Sequence, residues 1–314
     1  MSRLRIIFMG TPGFAVESLR ALISDNQNIV GVITAPDKQA GRGRKISQSA
    51  VKEFALKENL KILQPVNLKD PEFLKELNSL NADLQIVVAF RMLPKVVWAM
   101  PKFGTFNLHA SLLPQYRGAA PINWAIINGE SKTGVSTFFI NENIDTGAIL
   151  LQKEVPISSS CTAGELHDVL MKAGSESVIE TVALIETEEY KVQEQPPTFP
   201  KPAPKLNKEN CKIDWTASLD SIYNQIRGLS PYPSAWSFLN NKDATIEIKI
   251  YKASKIEESH SFEAGRIIFS KKAIKVAVDN GYINILDLKL PGKRKMDAKS
   301  LLNGYTFDEN AKLM

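Results

Sequence analysis

Along residues 1–150, short runs of apolar, largely β-branched residues alternate with longer stretches in which apolar positions recur every three or four residues. The first kind predicts strands at Arg5–Met9, Ile29–Thr34, Leu84–Ala89, Thr105–His109 and Gly134–Ile140. The second kind predicts helices at Phe14–Ser24, Gln48–Glu58, Pro71–Leu80 and Pro121–Asn128. Such alternation predicts an α/β fold, a doubly wound and mostly parallel sheet with helices on both faces. Sheets of this kind bind ligands at the C-terminal ends of their strands, where the strand order reverses. Residues 162–187 predict one further long helix, opened by a capping box in which Thr162 is followed three positions later by Glu165.

The pattern then breaks. Residues 190–205 hold five of the seventeen prolines, and proline removes amide donors and favours extended backbone, so a semi-rigid linker is expected there. Beyond it come a short helix at Ser218–Gly228 and alternating runs at Thr245–Ala253, Gly265–Ser270, Ala273–Val278 and Tyr282–Leu290. Short, regularly spaced strands predict a small C-terminal β-barrel. The expected organisation is thus a domain over residues 1–189, a linker over 190–205 and a barrel domain over 206–314.

Composition adds class and compartment. With 44% hydrophobic and 23% charged residues, the chain can bury ordinary globular cores. Cys161 and Cys211 have no close partner, which argues against a disulfide framework and a cysteine zinc site. The apolar run near the N-terminus, about five residues, is shorter than the roughly 7–15 of a secretion signal. No stretch approaches the roughly 20 apolar residues of a membrane span. A cytoplasmic monomer without a membrane partner is expected. The net charge of +5 is unevenly spread: residues 1–189 carry 19 basic against 20 acidic residues, residues 190–205 carry 3 against 1, and residues 206–314 carry 17 against 13. The basic excess lies behind residue 189 and fits an anionic partner there.

Two segments carry candidate chemistry. Gly10-Thr11-Pro12-Gly13, between the first strand and helix, fits either a phosphate-binding turn or a tight packing turn, and it lacks the third glycine of a dinucleotide fingerprint. The segment Phe106–Gly118 is more informative. Side chains alternate along a strand, so Asn107 and His109 emerge on one side where a parallel strand ends. Leu112-Leu113-Pro114 then breaks the strand into a loop, and Asp145, in the turn Asn143–Gly147 after the next strand, can return a carboxylate to the same edge. An imidazole that accepts a proton from an attacking amine, a carboxylate that steadies the imidazolium and an amide that donates to an oxyanion together suit acyl transfer to an amine. A serine hydrolase reading with Ser111, His109 and Asp145 is weaker, because Ser111 is two residues from His109 and no nucleophile elbow is present.

The runs FNLHASLLPQYRGAAPINWAI at 106–126 and TGVSTFFINENIDTGAIL at 133–150 closely resemble the 10-formyltetrahydrofolate-dependent formyltransferases. The likeness extends over the chain, through FMGTPGFAVESLRAL at 8–22, APDKQAGRGRKISQSAVKEFA at 35–55, KIDW at 212–215, SPYPSAW at 230–236 and LPGKRKM at 290–296. The GRGRK loop and the C-terminal motifs select the branch that acts on charged tRNA. The resemblance implies a Rossmann-like catalytic domain with an oligonucleotide-binding-type barrel. It also implies that Asn107, His109 and Asp145 are catalytic, and that Ser111, Leu112, Leu113 and Pro114 line the site of the donor, 10-formyltetrahydrofolate, without a metal. The acceptor it implies is the α-amino group of methionine on initiator tRNA, formylated for translation initiation.

The loop Asp37–Lys45, read from composition, is either a solvated loop or an arm for phosphates. The resemblance implies the second, with Lys38, Arg42, Arg44 and Lys45 on the acceptor end and Arg42 foremost. For Lys293, Arg294 and Lys295 it implies contact with the tRNA backbone, joined by Lys271, Lys272 and Lys275 nearby. Two places depart from the family pattern: Val87–Pro94 is a residue short and puts Arg91 near a usual glycine, and Ala110 stands where glycine is commoner. Competing readings are a sugar-nucleotide formyltransferase or a formyltetrahydrofolate hydrolase of the same superfamily, a non-catalytic RNA-binding protein, and a nicotinamide-dependent oxidoreductase resting on the strand–glycine–helix turn alone.

Overall fold

A computed structural model describes residues 3–40, 45–197, 201–242 and 244–314. The chain forms two compact units, one of Met1–Gly118, Thr133–Val155 and His167–Lys201, the other of Ala119–Lys132, Pro156–Leu166 and Pro202–Met314.

In chain order the first 186 residues form β1 (Arg5–Gly10), α1 (Gly13–Ser24), β2 (Asn28–Ile33), β3 (Lys38–Ala40), β4 (Lys45–Ser47), α2 (Ala50–Lys57), β5 (Ile62–Leu63), α3 (Pro71–Ser79), β6 (Leu84–Val88), α4 (Lys95–Trp98), β7 (Thr105–His109), α5 (Pro121–Ile127), β8 (Lys132–Phe139), β9 (Ile149–Pro156) and α6 (Ala163–Glu186). Seven strands make one sheet in the order β5-β2-β1-β6-β7-β8-β9. Pairing is parallel from β5 to β7 and turns antiparallel at β7–β8. The central strands are buried throughout, as in β6, because helices cover both faces. One apolar layer joins Ile7, Met9 and Val87 to Phe73 and Leu77 of α3.

Helix starts follow their caps. Ser49 accepts the Lys52 amide to open α2, and Asp70 accepts that of Phe73 to open α3. Thr162 and Glu165 bond reciprocally before α6, the Glu165 carboxylate taking the Thr162 amide at 2.8 Å. Helix α6 lies close against the strand that carries the candidate site: a Cβ on Gly174 would stand 2.8 Å from a Leu108 methyl. A buried Thr137–Thr181 hydroxyl bond of 2.7 Å ties the same helix to β8.

The second unit adds α7 (Leu219–Gly228), β10 (Ala235–Asn241), β11 (Ala244–Glu257), β12 (Ile267–Phe269), β13 (Ile274–Val278), β14 (Gly281–Lys289), β15 (Met296–Asp297), α8 (Ala298–Leu302) and β16 (Lys312–Leu313). Its sheet runs β12-β13-β14-β11-β10-β16, with β15 on β14. A bridge between Arg266 and Lys312 brings the last strand back to the first, giving a nearly closed antiparallel barrel around Ile248, Ile250, Val276 and Ile285. Helix α5 packs on α7 here; a Cβ on Gly228 would fall 2.7 Å from Ile127, so only glycine permits that approach.

Not predicted from the sequence are β5, β15 and β16, two residues each, the short helices α4 and α8, the hairpin β3–β4, whose Lys38 pairs with Ser47, and the longer strands β9 and β10.

Candidate active site

Strand β7 ends at His109, and its pairing with β6 and β8 fixes the direction in which both polar side chains leave the sheet. Asn107 is half-buried, and its side-chain amide has no hydrogen-bond partner among the described residues. His109 is 6% exposed, and its Nε2 lies 2.8 Å from the Tyr116 carbonyl oxygen. A carbonyl only accepts, so Nε2 carries the hydrogen and donates it, which leaves Nδ1 with the free lone pair in the neutral ring. Nδ1 faces Asp145, whose Oδ2 is 3.8 Å away. That distance is too long for a direct hydrogen bond but short enough for a carboxylate to stabilise an imidazolium. The tautomer is therefore set by the loop after β7, and the Asp145 carboxylate stands beside the free Nδ1.

Asp145 is itself held in place. Its Oδ2 accepts the Gly118 amide at 2.9 Å, and its backbone lies in the left-handed region at φ +53°. Asp visits that region more readily than most residues. Two residues on, Gly147 passes so near β8 that a Cβ would stand 1.7 Å from the Phe139 carbonyl oxygen, so the turn admits no larger residue in this path. Tyr116 also has positive φ, +60°, and is buried.

The Ser111–Pro114 segment is rigidly mounted. Ser136 donates to the Ser111 carbonyl at 2.6 Å and accepts the Leu113 amide at 3.1 Å, while Gln152 donates to the Leu113 carbonyl at 3.0 Å. Ser111 and Leu113 are buried, whereas Leu112 and Pro114 are half-exposed. The Ser111 hydroxyl donates to the Gln115 carbonyl at 2.6 Å, which occupies it structurally and removes the support for a nucleophilic serine.

At the neighbouring strand end, Arg91 donates to the carbonyls of Pro65 and Val66 and stacks over Phe90. Partial burial lowers its pKa from the ordinary arginine value. The guanidinium thus caps the chain after β5. Gly10 has the packing role: a Cβ there would meet Ala15 at 2.6 Å and the Val88 carbonyl at 3.0 Å.

Lys38 is exposed on β3; Arg42 and Arg44 lie outside the described residues, as does the side chain of Lys45. Lys293 and Arg294 are exposed, with no ion pair among the described residues, in the turn after β14. Lys295 is engaged: its ammonium is 3.1 Å from Asp287 and lies over Tyr251. No group of three or more metal-ligating side chains occurs among the described residues, and no helix is long and apolar enough to cross a membrane. The residues that the sequence did not single out are Ser136, Gln152, Arg117 and Gln195. Ser136, Gln152 and Gln195 bond backbone groups of the loops and Arg117 bonds the Gln195 side chain, and periodicity carries no signal for such contacts.

A formyl transferase family profile matches residues 3–182, and its C-terminal domain counterpart matches residues 205–306. A methionyl-tRNA formyltransferase of Flavobacterium johnsoniae is 62% identical over 315 residues, covering 100% of each chain. One from Bacteroides thetaiotaomicron is 51% identical, covering 99% of this chain and 98% of that one. Among solved structures, the N-formyltransferase of Helicobacter canadensis, in complex with folinic acid and dTDP-3-aminofucose, has a TM-score of 0.65 at 21% identity, covering 90% of this chain and 98% of that one, which shows a shared fold. Fold and site together define an enzyme, and the chain belongs to the formyl transferase family. Its full-length relatives place it among the methionyl-tRNA formyltransferases.

Proposed function

We infer that this chain transfers the formyl group of 10-formyltetrahydrofolate to the α-amino group of methionine esterified to initiator tRNA. Full-length identity of 62% to a methionyl-tRNA formyltransferase supports the substrate pair. The observation that carries the mechanism is the His109 ring, bonded to a carbonyl through Nε2 and open to a reacting proton at Nδ1 beside Asp145.

The folate donor, when bound, supplies a formyl carbon activated by its attachment to N10. His109 Nδ1 accepts the proton released as the amine attacks that carbon. The same imidazolium returns the proton to N10 as the carbon–nitrogen bond breaks, so one C–N bond forms, one breaks, and no net proton is taken from solvent. Asp145 stabilises the cation in between. The unpartnered Asn107 amide donates to the formyl oxygen as negative charge develops on it. Leu112 and Pro114 supply the apolar wall against which the folate is placed, and Ser111 and Leu113 hold that wall. Lys38, Arg42, Arg44 and Lys45 take the acceptor end, while Lys293, Arg294 and Lys295 of the barrel meet the tRNA backbone. Residues 1–189 then house the chemistry and residues 206–314 position the tRNA.

Formyl transfer from 10-formyltetrahydrofolate tests the assignment when charged initiator tRNA is compared with uncharged tRNA and with a dTDP-amino sugar. Turnover is expected on methionyl-tRNA alone. Transfer to the amino sugar, with none to the tRNA, would replace this reading by that of a sugar-nucleotide formyltransferase.

A further inference from the structure

The residues after α6 lie along the first unit and reach both loops that orient the site. The Tyr190 ring packs edge-on against Phe139 of β8, at 5.8 Å between centroids. Gln193 exchanges two backbone hydrogen bonds with Ile149, of 2.9 and 2.8 Å. The Gln195 side chain then joins two loops that are far apart in sequence. Its Nε2 donates to the carbonyls of Asp145 at 3.0 Å and Gly147 at 2.8 Å. Its Oε1 accepts from Arg117, Nε at 3.1 Å and Nη2 at 2.6 Å. Arg117 stands between Tyr116, whose carbonyl fixes the His109 tautomer, and Gly118, whose amide holds the Asp145 carboxylate. Further on, the Lys201 carbonyl takes the Tyr116 amide at 2.7 Å.

The amide of Gln195 suits this place for a chemical reason. It has two donors on one end for two carbonyls and an acceptor on the other for a guanidinium fork. Glutamate would retain the partner for Arg117 but turn an oxygen towards two carbonyl oxygens. Alanine would leave the Asp145 turn and the Arg117 loop without their mutual tie. Neither Gln195 nor Arg117 touches His109 or the Asp145 carboxylate in any contact described above, so each acts through the loops.

We propose that residues 190–197 form a strap and that Gln195 and Arg117 are positioning residues, holding the Asp145 turn and the Tyr116–Gly118 loop in the register that sets the His109–Asp145 geometry. The proposal rests on the reading of His109 and Asp145 as catalytic. Its consequence is that a segment with the composition of a spacer takes part in the efficiency of the chemical step.

The test is steady-state formyl transfer by the full chain carrying Gln195→Ala, Gln195→Glu, Arg117→Lys, Glu194→Ala or His109→Ala, with each melting temperature recorded. Misplacing a catalytic group by about 1 Å costs up to ~100-fold. Gln195→Ala and Gln195→Glu are therefore expected to lower kcat by ~10- to 100-fold, with KM for both substrates within about twofold of the parent. Arg117→Lys, which loses the fork but keeps the charge, is expected to lower kcat by at least ~3-fold, and to add little in combination with Gln195→Ala. Glu194→Ala, exposed and adjacent, is expected to match the parent. The strap is refuted if Gln195→Ala and Arg117→Lys keep kcat within twofold while His109→Ala abolishes turnover. It is equally refuted if Glu194→Ala falls as far as Gln195→Ala. Retained turnover in His109→Ala would instead overturn the catalytic reading beneath it. Should Gln195→Ala fail to fold, Arg117→Lys decides by the same criterion.

Discussion

The 2.8 Å bond from His109 Nε2 to the Tyr116 carbonyl determines which ring nitrogen can work. Strand alternation was sufficient to bring Asn107 and His109 to one edge, because the period of a strand is two and both residues lie within five positions. The return of Asp145 was legible from its place in a turn after the next strand, although that this strand pairs antiparallel with β7 was not. The atom-level roles were not legible: a Tyr116 backbone oxygen and a Gly118 amide do the orienting, and backbone groups leave no trace in residue type. At 3.8 Å from Nδ1, the Asp145 carboxylate is placed for the charge-stabilising role proposed for it. Asp145→Asn should consequently keep the left-handed turn, since Asn tolerates positive φ, while removing that charge. Its expected effect is a fall in kcat of about 100-fold, the lower end of the scale for acid–base groups, at an unchanged melting temperature. Steady-state kinetics with a thermal melt checks both halves.

Among the elements, the capped helices and the central strand β7, Thr105–His109, match the sequence reading most closely. Helix α6 is an example, since Thr162 and Glu165 signal its start and bond as the sequence indicates. The short elements were silent because two or three residues contain too few repeats of the two-residue strand period to set them apart from chance, as in β5 and β16. Others were silent because the hydrogen-bond partner, not the sequence, makes the strand: Lys38 becomes a strand residue by pairing with Ser47 across undescribed residues. The Thr162 amide and hydroxyl hold the Glu165 carboxyl below the usual glutamate range. A carboxyl with a lowered folded pKa contributes stability in full above its unfolded value and loses it as pH falls through the folded one. Glu165→Gln is expected to lower the melting temperature by about 1–3 °C near pH 7, given the small worth of an exposed charge at a helix start. The deficit should vanish once the pH is below the folded pKa. A melting curve series from pH 7 to pH 3 on parent and variant reads it directly, and a deficit that stayed constant would contradict the capping role.

At the scale of the whole molecule, the basic excess and the candidate catalytic residues lie in different stretches of the chain. Residues 1–189 are nearly neutral, with 19 basic against 20 acidic side chains, and hold Asn107, His109 and Asp145; the basic excess follows them. Lys293 and Arg294 are exposed, whereas Lys295 already pairs with Asp287, so the first two should dominate any grip on a phosphate backbone. Replacing Lys293, Arg294 and Lys295 by Ala is expected to raise KM for tRNA, to leave kcat within about twofold, and to reduce the slope of log affinity against log salt by roughly two units, about one per lost phosphate contact. Titrations of tRNA binding at several salt concentrations check it; an unchanged slope would remove the barrel turn from the binding surface. Proton transfer by His109, as proposed for formyl transfer to methionyl-tRNA, is read by the single-turnover rate constant of formyl transfer for the parent and His109→Ala, with tRNA affinity measured on the same samples. A fall of about 10²–10⁴ in that rate constant at unchanged affinity is expected. A rate constant within about threefold of the parent would contradict the account.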